Sequence, residues 1–143
     1  MKILFLCTGN SARSQMAERF ARSLVPASAG IEIFSAGTHP QGLHPEAVAV
    51  MKEVGVDLSD ARSKGLDDVP FDSIDLAVTL CDDAQASCPT VPPGCSRIHW
   101  GLPDPAAATG TPEEVRESFR AVRDQVLTCV KRLLFELATS GRR

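Results

Sequence analysis

A cysteine and an arginine stand six positions apart in the run Cys7-Thr8-Gly9-Asn10-Ser11-Ala12-Arg13-Ser14. On a loop between a strand and a helix, such a pair can hold a tetrahedral oxyanion and attack it. The backbone N–H groups of the loop, from Thr8 through Ser14, would converge as a nest, and the positive end of the following helix adds to their field. Arg13 contributes a planar fork that matches two oxyanion oxygens at once. The same field favours the thiolate of Cys7, the nucleophilic form, directly beneath the bound anion. Gly9 lets the backbone turn where a side chain would clash. Asn10 tolerates left-handed geometry and can bond back to the loop, and Ser14 is placed to donate a hydrogen bond to the thiolate. Cys-x5-Arg alone is a weak pattern, equally compatible with a buried cysteine ahead of an ordinary helix. The flanking strand and helix, with Gly, Asn and Ser inside the run, tip the reading to an anion site.

Two further stretches carry chemistry. Cys81 and Cys88 are seven positions apart in Cys81-Asp82-Asp83-Ala84-Gln85-Ala86-Ser87-Cys88. Two thiols can pair only if their Cα atoms come within about 7 Å, which an extended segment of that length forbids and a helical or folded one approaches. Two unrelated buried cysteines are the plain alternative. Zinc is another, because Cys95 continues the sevenfold recurrence, although zinc ligands usually come in closer pairs. The second stretch is Asp104-Pro105, a carboxyl in a proline-stiffened loop. It can serve as a positioned general acid or simply make a turn.

The elements that must position these groups follow from patterning. Residues 2–6 are continuous, short and apolar, as in a buried parallel strand. A helix is predicted from Ser14 to Leu24, with Met16, Phe20 and Leu24 on its inner face. A second strand covers 31–36 and ends at Gly37, and Pro45 opens a helix running to about Val54. A third strand covers Ser73–Leu80 and leads into Cys81, followed by a Pro-rich loop over 82–94. A fourth covers Ser96–Trp100, and Gly101–Pro112 is loop. Thr111-Pro112-Glu113-Glu114 starts a last helix, whose stripe Val115, Phe119, Val122, Val126, Val130, Leu133 and Leu137 is core packing. Four strands alternating with helices predict a single-domain, doubly wound α/β sheet, three layers deep, over residues 1–143. Ligands in such sheets bind beyond the strands' C-terminal ends, where Cys7, Cys81 and the loop after Trp100 would all emerge.

Composition sets the remaining bounds. The chain has 143 residues, 43% of them hydrophobic and 23% charged, with a formal net charge of −3. That balance gives no reason to expect nucleic acid or an anionic membrane as partner, so any anion site must be local. The apolar start ends after five residues, too short for a secretory core, and no stretch is long enough to span a bilayer. A cytoplasmic protein is expected, where cysteines are more often catalytic or redox-active than structurally bridged.

Taken together, Cys7 through Glu18, Ser35-Ala36-Gly37, Thr79-Leu80-Cys81, Cys88-Pro89, His99-Trp100-Gly101 and Asp104-Pro105 resemble the thioredoxin-coupled arsenate reductases. These share the low-molecular-weight protein tyrosine phosphatase fold. The Cys-x5-Arg loop and Asp-Pro occur in both groups, whereas the Cys81/Cys88 pair separates them. The resemblance implies that Cys7 attacks arsenate held by the loop and Arg13, and that Asp104 protonates the departing oxygen. It further implies that Cys81 attacks Cys7 to release arsenite, and that Cys88 then takes Cys81 into a disulfide re-reduced by thioredoxin. It implies arsenic detoxification by a cytoplasmic monomer with no bound cofactor, in which phosphate or sulfate mimics arsenate. Some relatives bind potassium through residues matching Asn10, Glu18 and Ser35. Lys64, near where a further acidic ligand would align, disfavours the cation, so no metal is expected. Ala12 replaces a second cysteine of many relatives and removes none of the three relay thiols. Cys95 and Cys129 have no role in the pattern. The alternative function is a phosphatase acting on phosphate monoesters, disfavoured by the absence of tyrosine and by Ala106-Ala107 after Asp-Pro.

Overall fold

The computed structural model describes residues 1–82 and 93–140. Strand β1 (Lys2–Cys7) is central, flanked by β2 (Glu32–Gly37) on one side and β3 (Leu76–Thr79) on the other, with β4 (Ser96–His99) outermost. The sheet order is β2-β1-β3-β4 and every pairing is parallel, the arrangement expected from the alternating pattern. Ile3, Leu4, Phe5 and Leu6 are all fully buried. Successive side chains of a strand point to opposite faces, so both faces of β1 are covered, which explains its unbroken apolar run.

Helix α1 (Arg13–Leu24) follows the first loop and lies on β1 and β2. Met16 and Phe20 are buried as predicted, but Leu24 is 43% exposed: it is the helix's last residue, beyond the edge of the packed face. Helix α2 (Pro45–Lys52) and the long α3 (Pro112–Ser140) pack against each other, and α3 also packs on α1. Of the predicted α3 stripe, Phe119, Val122, Val126, Val130 and Leu133 are buried, while Val115 and Leu137 are half-buried at its ends. Thr111 caps α3 reciprocally: Glu114 N donates to Thr111 Oγ1 at 3.1 Å, and Thr111 N to Glu114 Oε1 at 3.3 Å. The third strand is shorter than predicted. Phe71–Ser73 forms a 3₁₀ turn, and pairing begins only at Leu76. Among the described residues no helix is long and apolar enough to cross a membrane.

Charged pairs fasten α2 to α3. Arg120 binds Glu53, just past the end of α2, through Nε and Nη2, and Arg123 Nη1 reaches the same carboxylate at 2.9 Å. Arg116 grips Glu46 in the same way. The Arg120 hydrogen bonds, seconded by Arg123, hold the Glu53 carboxyl at about 2 instead of 4.5, and Arg116 lowers Glu46. A carboxyl whose value is lowered on folding adds stability above its unfolded value and loses it as pH falls toward the folded one. The urea unfolding midpoint is therefore expected to hold steady down to pH 4.5 and to decline from there toward pH 2. In Glu53→Gln, the part of that decline due to Glu53 should be missing.

Candidate active site

The loop between β1 and α1 is shaped from outside. Cys7 O accepts from Thr38 N at 3.1 Å, Thr8 O from His39 N at 2.8 Å, Gly9 O from Gln41 N at 3.0 Å and Ser11 O from His44 N at 2.9 Å. Gly9 O also takes the Ser63 hydroxyl at 2.8 Å, and Asn10 O takes Gln15 Nε2 at 3.2 Å. Ala12 O accepts Met16 N at 2.9 Å as the first bond of α1. Every carbonyl from Cys7 to Ala12 is thus engaged away from the loop's interior. A trans peptide points its N–H opposite its C=O, so the N–H groups of Thr8 to Arg13 turn inward. One of them, Asn10 N, lies 3.3 Å from Cys7 Sγ.

Behind the loop, Asn10 is a fully buried hub in the left-handed conformation, with φ of 47°. Its Nδ2 donates to Ser14 Oγ at 2.7 Å and to Ser35 Oγ at 3.0 Å. Its Oδ1 accepts from Gln15 Nε2 at 2.9 Å and Lys64 N at 2.8 Å. Ser14 Oγ lies 2.9 Å from Cys7 Sγ, so a thiolate there would have the hydroxyl and the Asn10 amide as donors. Ser35 donates to Glu18 Oε1. The Lys64 ammonium stands 3.4 Å from the same oxygen, and Arg22 Nη2 is 2.6 Å from Glu18 Oε2. A carboxylate already facing two tethered cations does not fit a bound monovalent metal ion, which would meet their repulsion instead of open oxygens. Among the described residues no group of three or more His, Cys, Asp or Glu is placed to hold a metal.

In front of the loop lies a cavity of about 530 Å³, walled by Cys7, Thr8, Gly9, Ser11, Ala12 and Arg13, with Cys81 and Asp104 on its other sides. Asn10 and Ser14, counted with the loop from sequence, stand behind this wall and not in it. Arg13 Nη1 donates to Leu102 O at 3.0 Å, and its Nη2 is 3.8 Å from Asp104 Oδ1. The general-acid candidate and the anion-binding fork are therefore neighbours. Asp104 also caps the short turn Pro105–Ala107 by accepting from Ala106 N at 3.0 Å, and its side chain is half exposed. Trp100 N donates to Thr79 O at 2.7 Å and Leu102 N to Leu80 O at 3.1 Å, which ties the acid-bearing loop to the end of β3.

Cys81 is buried at that same strand end, its Sγ 3.2 Å from Thr8 Oγ1. Two thiols 74 positions apart in sequence so share one cavity. Cys88 lies outside the described residues. Cys129 sits on α3, where burial pushes its thiol up and away from reactivity. Sequence patterning did not single out Gln41, Asp82, Leu102, Pro103 and Ala106 as cavity walls. All but Gln41 adjoin a residue that was singled out, which is the signal that could have found them. Among the described residues none of the walls is aromatic.

The family model for low molecular weight phosphotyrosine protein phosphatases matches residues 2–143. The chain is 46% identical to the arsenate reductase of Bacillus subtilis over 142 residues, covering 98% of this chain and 96% of that protein. Among solved structures it is similar to an arsenate reductase in the phosphate-binding state, at 33% identity and a TM-score of 0.74, over 94% of this chain and 97% of that one. A low molecular weight protein tyrosine phosphatase from T. tengcongensis superposes with a TM-score of 0.79 at 25% identity, over 95% and 99%.

Proposed function

The chain belongs to the low molecular weight phosphotyrosine protein phosphatase family, and we propose that within it this protein reduces arsenate to arsenite. The carrying observation is Cys81, a second thiol at the wall of the cavity that holds Cys7 and in contact with Thr8 of the anion loop. A phosphate ester needs one nucleophile, whereas reduction needs a second thiol that attacks the sulfur of the first and closes a disulfide. The names of the relatives in Bacillus subtilis and in the phosphate-bound structure support the same choice.

In the proposed sequence, the Cys7 thiolate attacks arsenic while the loop N–H groups and Arg13 hold the oxyanion. Asp104 gives its proton to the departing oxygen, which leaves as water. The Cys81 thiolate then attacks Cys7 Sγ. A sulfur–sulfur bond forms, the sulfur–arsenic bond breaks, and its electron pair stays on arsenic. Arsenic passes from the +5 to the +3 state as two thiols become a disulfide. Cys88 next displaces Cys7 from Cys81, leaving a Cys81–Cys88 disulfide for thioredoxin in the cytoplasm. No cofactor takes part, and the protein acts as a monomer.

With thioredoxin, thioredoxin reductase and NADPH, arsenate should yield arsenite over many turnovers. Cys88→Ser should keep one turnover and lose sustained turnover by about a hundredfold or more, since its resolving thiolate is gone. Wild-type sustained turnover in Cys88→Ser would end the relay. The Arg13–Asp104 pairing serves either chemistry and so also admits a phosphatase reading. The lack of aromatic walls among the described residues counts against a phosphotyrosine ring. A kcat/KM for aryl phosphate far above that for arsenate would reverse the ranking.

A further inference from the structure

We propose that His99 is a positioning residue for the second thiol, its imidazole bridging Thr79 and Asp82 and so holding Cys81, which lies between them, against the anion loop. This rests on the reading of Cys81 as the sulfur that attacks Cys7. The His99 ring lies at the end of β4, with Nδ1 2.7 Å from Thr79 Oγ1 and Nε2 2.8 Å from Asp82 Oδ1. The Asp82 carboxylate only accepts, so Nε2 carries a hydrogen, and in the neutral ring Nδ1 takes the Thr79 hydroxyl hydrogen. Thr79 is fully buried and its ring contact is part-buried, whereas the Asp82 side chain is exposed.

The bridge stands where the sheet stops. The β3–β4 register ends at the pair Thr79↔His99, and Leu80 is the next residue held, by Leu80 N to Leu6 O at 2.8 Å and by Leu102 N to Leu80 O at 3.1 Å. Cys81 follows, past the ladder. A tie on its far side, at Asp82, restricts the chain in both directions around the thiol. That matters for the step in which the Cys81 sulfur bonds to Cys7 sulfur while the sulfur–arsenic pair departs with arsenic, because attack within one molecule speeds up as its partners are held near the reacting geometry. His99 is assigned no proton transfer in that step; it acts through Thr79 and Asp82.

The test uses the full chain in a Cys88→Ser background, where the Cys7–Cys81 disulfide accumulates. Arsenate is added, the reaction is quenched at intervals, and the disulfide is measured by mass spectrometry. Separately, without arsenate, iodoacetamide labels the thiols and each cysteine peptide is quantified. His99→Asn keeps a polar group near Thr79 and loses the reach to Asp82; Asp82→Ala removes the other end from the surface, where folding is not at stake. In both, disulfide formation should slow by about threefold to fivefold, the yield of losing one exposed charged hydrogen bond. Cys81 labelling should rise by a similar factor, and Cys7 labelling in His99→Asn should match the parent. Asp82→Asn, which keeps the acceptor oxygen, should restore both quantities. Unchanged Cys81 labelling, unslowed disulfide formation, or Cys7 and Cys81 labelling rising together would overturn the positioning role. A parent protein that releases arsenite without a Cys7–Cys81 disulfide overturns the relay and this role with it, whereas failure confined to the variants overturns the role alone.

Discussion

Arg13→Lys should lower kcat/KM for arsenate by about a hundredfold to a thousandfold, the cost of removing a fixed donor at a developing oxyanion. Arg13 is 9% exposed and its side chain is locked by Leu102 O at 3.0 Å, with Asp104 Oδ1 3.8 Å from its other terminal nitrogen. Its fork is thus oriented before substrate arrives. Lysine keeps the charge, but a single ammonium cannot hold Leu102 and present two parallel donors to the anion. Steady-state arsenite production measures the loss. A reduction under about tenfold would mean that charge alone, and not the fork, does the work. The unfolding midpoint should move little, since the lost contact to Leu102 lies at the cavity edge.

Gly37→Ala is the second large effect, and it acts through the backbone. A Cβ there would stand 2.5 Å from Thr8 O, 2.8 Å from Asn10 N and 3.0 Å from Gly9 C. All three are main-chain atoms of the anion loop, so no rotamer change relieves the contact. Gly37 cannot retreat either, being registered with Cys7 in the sheet and bonded through its N–H to Lys64 O at 2.8 Å. Either the loop opens or β2 shifts. Overpacking of this kind costs about 3 kcal/mol, and arsenite formation should fall to near background because the inward N–H array is displaced. Urea unfolding and the arsenite assay check the two halves. Gly30→Ala is the contrast. Gly30 has φ of +66° with nothing within 4 Å of an added Cβ, so only local strain, about 1 kcal/mol, is expected and activity should stay intact.

The contrast between these glycines marks what a sequence can convey. The β1–loop–α1 unit was legible because its signals are local: an apolar run, a Cys-x5-Arg spacing, then helical periodicity. Its meaning could be read from adjacent residues. Gly37 reads from sequence only as a strand end and as part of a resemblance, because the atoms that exclude a side chain there belong to a loop about thirty positions upstream. Patterning starts β3 at Ser73 because Ser-Ile-Asp-Leu-Ala-Val-Thr-Leu reads as one strand, and nothing in it marks the 3₁₀ turn that delays pairing to Leu76. Lys64 against Glu18, Gln41 in the cavity wall and His99 against Asp82 are all contacts between distant segments with no periodic signature. Sequence places Cys7 and Arg13 together by spacing, whereas Cys81 and Asp104 join them only through the resemblance and the expectation that one sheet edge gathers its loops.

The outward engagement of each carbonyl from Cys7 to Ala12 sets a rule of tolerance for the whole site. The mould is main chain, gripped residue by residue by donors that themselves sit on fixed segments. Exchanging the methyl of Ala12 for another small side chain leaves every grip in place. Adding or deleting one residue would throw each later carbonyl out of step with its donor, like a zip misaligned by a single tooth. The length of this loop is therefore the quantity least open to drift.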